Sequence, residues 1–205
     1  MKYIYRLIVA ALFVTVSATS FYSCETVEME LLASPNALSS DQADPDLLLN
    51  SIQLSYRGSQ RTFSNNSGDL GRISYMGGRQ YLDNYGDGTL NGAWNSFYSN
   101  NQPNLLALEQ ISEANPDRDL SYHLGVAKTL QAHTLMQLVD YLGDIPWSEA
   151  NNSTEFPKPS VDDDASVYDA AIAYLSEAAG HFASEAGIGT GTDFFYDGDA
   201  GKWSK

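Results

Sequence analysis

Three tyrosines, Tyr75, Tyr81 and Tyr85, with Arg79 and Asn84 among them, are the residues best suited to ligand chemistry in this sequence. Holding a sugar ring takes aromatic faces for its apolar side and planar amide or charged groups for its hydroxyls. This run supplies both. It lies within residues 59–92, where Asn65, Asn66, Gly68, Gly71, Gly77, Gly78, Gly86, Gly88 and Gly92 are interleaved with Phe63 and the tyrosines. Neither helical nor strand periodicity is visible there, and the stretch is expected to be a long irregular excursion. Long excursions in compact domains are functional or disordered, and the aromatic content argues against disorder. Because tyrosine is commonly part-buried, about half of these rings are expected to pack inward.

Other groups point to little chemistry. The runs from Asp83 to Gly88 and from Asp193 to Asp199 are rich in oxygen, but neither has the ligand spacing of a calcium loop. Turn and capping roles are expected for them. The three histidines, His123, His133 and His181, lack the HExxH spacing, and the sequence holds no GxSxG, phosphate-binding loop or dinucleotide fingerprint. Asp140, Asp144 and Glu149 look like paired carboxylates but are expected to be structural. The reading is of a non-enzyme: no catalytic residue, no metal, no cofactor.

Composition agrees with a folded domain. The chain has 205 residues, 43% of them hydrophobic, and a formal charge of -15. Such acidity repels phosphates, so nucleic acid is excluded as a partner. The only cysteine, Cys24, rules out an intrachain disulfide. Lys2 and Arg6 precede an apolar run from Leu7 to Val16, which is too short to span a ~30 Å hydrocarbon layer as a helix. A small residue, Ser23, precedes Cys24. This resembles a lipoprotein signal over residues 1–23, with acylation of Cys24 and a polar lipidated tether over 24–43. Glu25, Glu28 and Glu30 behind the cysteine resemble a surface-export signal, which implies the outer leaflet, facing the exterior.

The elements that must carry the excursion are helices, over residues 44–205. Asp44-Pro45-Asp46 supplies an N-cap, a proline at the first helical position and an acid for the positive end. Leu48, Leu49, Ile52 and Tyr56 form the apolar face, and Gly58 is expected near the helix end. A second helical stretch runs from Trp94 to Ile111, broken, kinked or restarted at Pro103. Asp119 caps a long helix to Leu142, apolar around so much of its girth that it must be sandwiched. Gly143 ends it. Asp163 and Asp164 open a helix with Val167, Ala171, Tyr174, Leu175 and Ala178 on its face. A last helix starts at Gly201-Lys202-Trp203, close enough to Lys205 that the sequence is expected to be the N-terminal part of a longer chain. No strand pair is evident. The fold class is all-α: helical hairpins, each leaving an apolar face for a stacked neighbour. Gly125 and Ala132 give a faint tetratricopeptide pattern.

The segment from Met136 to Ala150, MQLVDYLGDIPWSEA, closely resembles the helix end and turn of the SusD/RagB family. The pair Trp94 and Tyr98, the helix start at Val167-Tyr168, and the Tyr196-Asp197-Gly198-Asp199 segment with Trp203 fall in the same order. The resemblance spans essentially the whole chain but only the first part of a typical member. It implies tetratricopeptide-like repeats, an oligosaccharide or peptide ligand bound without turnover, and delivery to a SusC-like TonB-dependent outer-membrane barrel. Outer-membrane lipid would hold the protein through acylated Cys24. Two alternatives stay open. One is a surface-anchored glycoside hydrolase, which needs two carboxylates facing one cleft, about 5 or 6.5–9.5 Å apart. The other is a non-catalytic structural or adhesin-like scaffold.

Overall fold

A computed structural model describes residues 2–3, 43–74, 86–184 and 191–205. The chain divides into residues 1–37 and residues 38–205. In the first unit Lys2 and Tyr3 are described, and they are helical. Residues 4–42, with Cys24 and the tether, lie outside the described residues, as do residues 75–85 and 185–190.

The second unit is helical, with no strand among its described residues and one isolated antiparallel bridge, Ile145 to Asp162. Helix α1 is Pro45–Leu70. Asp44 caps it by accepting the Asp46 N–H at 3.0 Å. Here the expectation of an end near Gly58 and an excursion from residue 59 is corrected, because the helix runs twelve residues further. Its buried stripe continues through Leu49, Ile52, Ser59 and Phe63, with a serine where the eye looks for an aliphatic residue. Ser59 and Thr62 return their hydroxyls to the carbonyls of Ser55 (3.3 Å) and Gly58 (3.2 Å), so these polar residues are satisfied within the helix. Gly58 marks a close approach instead: a Cβ there would lie 3.0 Å from Ser96 Oγ. The helix stops in a Schellman turn. Ile73 N–H bonds Gly68 O at 2.9 Å, Arg72 N–H bonds Asp69 O at 3.2 Å, and Arg72 itself is left-handed at φ 56°.

Helix α2 (Asn91–Ser96) passes through a wide π turn, Phe97–Asn101, into α3 (Gln102–Ala114). Pro103 sits in the first turn of α3, so the stretch restarts there, as one of the expected outcomes had it, and the chain is not broken. The wide turn just before the proline accommodates a residue that lacks an N–H and crowds the carbonyl four residues back. Helix α4, Ser121–Leu142, starts where Asp119 accepts the Ser121 N–H at 3.0 Å. It ends at Gly143, whose φ of 75° and ψ of -127° would strain any residue with a Cβ. Helix α5, Asp164–Ala183, is capped by Asp163, which accepts the Ser166 N–H at 3.1 Å. The short α6, Ala200–Trp203, is capped by Asp199.

Pairings fix the helix directions. Asp46 meets His123, Tyr56 meets His133 and Gln60 meets Gln137, each pair 77 residues apart, so α1 and α4 run parallel. Along α4, Gly125 meets Phe182 while Asp140 meets Tyr168, so α4 and α5 are antiparallel. Gly58 lies against Ser96, Thr62 against Gly92 and Ser51 against Asn104, which makes α1 antiparallel to α2–α3. Two helical hairpins are thus stacked with their first helices parallel, the tetratricopeptide arrangement.

Helix α4 is the sandwiched element. Its residues from Tyr122 to Leu130 complete one apolar cluster with Leu49, Ile52, Leu105, Leu108 and Ile111. Ala132, Leu135, Leu138 and Val139 complete a second with Phe63, Phe97, Ile145 and Val167. Each large side chain so buried contributes roughly 1.5–3 kcal/mol. On α5, Val167, Ala171 and Ala178 are buried, but Leu175 is exposed.

Candidate ligand-binding site

The Schellman turn releases the chain from α1, and two overlapping turns bring it back to α2. In the return leg, Thr89 N–H bonds Gly86 O at 3.0 Å and Asn91 N–H bonds Gly88 O at 3.1 Å. Gly86 N–H donates to Thr89 Oγ1 at 3.0 Å, and Asn66 of α1 donates its amide to Thr89 O at 3.3 Å, stapling the return leg to the departing helix. Between them and the end of α4 lies a cavity of about 190 Å³. Asn66, Asp87 and Thr89 give it polar edges, and Leu70, Leu90 and Tyr141 give it apolar walls.

Tyr141 is held firmly. Its ring stacks on Phe63, with centroids 5.0 Å apart and planes at 28°. Its hydroxyl pairs with Ser67 and reaches Phe63 O at 3.5 Å. A rigid ring beside an amide and a carboxylate can seat a small polar ring that has one apolar face. The five predicted ligand residues, Tyr75, Arg79, Tyr81, Asn84 and Tyr85, lie outside the described residues, within the segment whose two ends form this cavity. Asn66, Asp87 and Tyr141 were not predicted as ligand residues. Phe63 and Tyr141 are 78 residues apart, and no local signal marks their partnership.

The suspect carboxylates are bound to the frame. Asp140 accepts from the Tyr168 hydroxyl, Asp144 from the Asp164 N–H at 3.2 Å, and Glu149 from the Ser160 N–H at 2.7 Å. Asp162 accepts the N–H groups of Trp147 (2.8 Å) and Ser148 (3.0 Å) and the Ser148 hydroxyl (2.6 Å), tying the Gly-Asp-Ile-Pro turn down. Burial by itself would raise the Asp162 carboxyl, but the bonds from Ser148 and Trp147 outweigh it and hold the group below its ordinary value. Tyr98 adds a second tie, donating to Pro146 O at 2.5 Å.

Asp193 is the most heavily bonded carboxylate among the described residues. Buried, it accepts from the Tyr122 hydroxyl (2.6 Å), the Trp203 indole (2.9 Å), and the N–H groups of Phe195 (2.9 Å) and Gly198 (3.1 Å). Burial pushes its pKa up, and these bonds push harder the other way, leaving it lowered. With Asp193 so engaged and Asp199 capping α6, this segment has the turn and cap roles that its spacing suggested. No group of three potential metal-ligating side chains occurs among the described residues.

Stacked helical hairpins, with a part-apolar cavity at the foot of a long inter-helix segment, define a helical scaffold of the tetratricopeptide-like class. Residues 35–205 match the SusD-like family, described as starch-binding and associating with the outer membrane, and the chain belongs to that family. No match was found among curated proteins.

Proposed function

We propose that this protein is a surface lipoprotein that captures an oligosaccharide and passes it, uncleaved, to a SusC-like TonB-dependent barrel. Acylation at Cys24 would anchor it on the outer leaflet, since several acyl chains hold a protein stably without a membrane-spanning helix. Among the described residues no helix is long and apolar enough to cross a membrane.

The observation that carries the reading is the cavity between Asn66, Asp87 and Tyr141, placed where the chain leaves for and returns from residues 75–85. We assign the ligand contacts to Tyr75, Tyr81 and Tyr85, whose rings take the apolar face of a sugar, and to Arg79 and Asn84, which take its hydroxyls. The family's description as starch-binding supports an α-glucan over a peptide.

The test is titration of the mature lipoprotein with maltoheptaose, repeated on Tyr81→Ala, Arg79→Ala and Tyr141→Ala. Saturable binding weakened several-fold or more by these changes supports the site, as a stacked ring pair is worth roughly 0.5–1.5 kcal/mol. Unchanged affinity in all three variants would move the site elsewhere. Co-purification with a TonB-dependent barrel tests the partner.

A further inference from the structure

A second groove, of about 280 Å³, shares no residue with the cavity beside the excursion. One side is a single stripe of α5, in which Ala170 and Ala173 lead to Tyr174 and Glu177. Opposite stand Glu109 of α3, Lys128 of α4 and Trp147 of the turn after α4. The Trp147 and Tyr174 rings are half-buried and perpendicular, with centroids 5.7 Å apart at 82°.

Lys128 is almost wholly buried and fully committed. Its ammonium sits 2.5 Å from Glu109 Oε1, 2.6 Å from Glu177 Oε2 and 4.9 Å from the centre of the Tyr174 ring. That leaves Glu109 Oε2 and Glu177 Oε1 with no partner among the described residues, on two side chains already fixed in place. Groups immobilised beforehand cost less to order when a ligand arrives.

The chemistry selects a ligand class. Two carboxylates against one ammonium leave an excess negative charge, which disfavours anions. A cation would lie beside the Lys128 ammonium, which already holds one oxygen of each carboxylate and repels it. A purely apolar ligand would strip water from three charges without replacing it. A neutral sugar ring meets every demand: its C–H face lies on an indole or phenol ring, and its hydroxyls donate to the free carboxylate oxygens. Alanines at 170 and 173 leave the space beside the rings clear.

We propose that this groove is a second saccharide subsite, seating one neutral pyranose unit against Trp147 and Tyr174 with Glu109 and Glu177 as hydroxyl acceptors. The proposal rests on the reading of the protein as saccharide-binding but not on any residue of the excursion.

The experiment is calorimetric titration of the mature lipoprotein with malto-, xylo- and manno-oligosaccharides. Ala173→Arg and Ala173→Glu each fill the groove from an exposed helical position, and a thermal melt checks that both remain folded. Tyr81→Ala serves as the variant of the other site. Two equivalents bound by the unchanged protein, with one weakened tenfold or more by either Ala173 variant and the other by Tyr81→Ala, is the expected result. A single equivalent, indifferent to both Ala173 variants, overturns the groove and leaves the saccharide reading standing. Failure to bind any of the three sugars overturns both.

Discussion

The hydroxyl of Tyr122, in the first turn of α4, donates at 2.6 Å to Asp193, 71 residues later in the chain. One buried carboxylate thereby locks the segment that leads into α6 onto the central helix. Asp193→Asn replaces one acceptor oxygen by an amide donor that faces other donors. About 2 kcal/mol of stability should be lost, the scale of breaking hydrogen bonds to a buried charged group. The pH dependence has a definite sign. A carboxyl whose folded pKa lies below its unfolded value, about 3.9, contributes stability that is complete above that value and is lost as pH falls through the folded pKa. Melts of wild type and variant should therefore converge in strong acid. A gap that stays constant down to pH 2 would contradict the charged role.

Gly125 is covered by the Phe182 ring, and a Cβ at 125 would lie 2.7 Å from it. That ring is itself confined, stacked on Trp203 at 6.3 Å and 12° and set edge-on to Tyr122 at 6.0 Å. Gly125→Ala gains roughly 1 kcal/mol of helix propensity but incurs roughly 1–3 kcal/mol of overpacking, so a net loss is expected. In a Phe182→Ala background the same change should become neutral or stabilising. A loss of equal size in both backgrounds would show that the ring is not the obstacle.

Gly143 carries φ 75° with ψ -127°, where an L side chain is strained. Nothing crowds its would-be Cβ, so Gly143→Ala isolates backbone strain. A cost of about 1–3 kcal/mol in denaturant unfolding is expected. No change would mean that the turn relaxes freely.

If Cys24 carries the lipid, Cys24→Ser should leave the membrane fraction and appear in the soluble fraction, with affinity for sugar unchanged. Each buried methylene contributes about 0.8 kcal/mol to anchoring, so loss of the acyl chains is decisive. A variant that still sediments with membranes would point to another anchor.

Much of the fold was legible because caps and stops are local. Asp44, Asp163 and Asp199 cap helices as their positions suggested, Asp119 bonds the first N–H of α4 from one place before the N-cap Leu120, and Gly143 ends α4. The sandwiched state of α4 followed from its apolar girth. The second half of α1 was hidden, because Gly58, Ser59 and Thr62 look like loop residues until the i−4 carbonyl bonds of the two hydroxyls and the close approach of Gly58 to Ser96 are seen. Parallel pairing of α1 with α4 depends on contacts 77 residues apart, beyond any periodicity in the sequence. The cavity wall at Tyr141 was missed for the same reason. It falls within the strongest family motif, where a structural role seemed sufficient.

The most direct measurement is incubation of the mature lipoprotein with maltoheptaose, reading bound sugar by calorimetry and free products by chromatography in the same sample. Saturable uptake with every recovered chain seven units long is the predicted result. Shortened chains, or no heat of binding across the range of neutral oligosaccharides, would contradict capture without turnover.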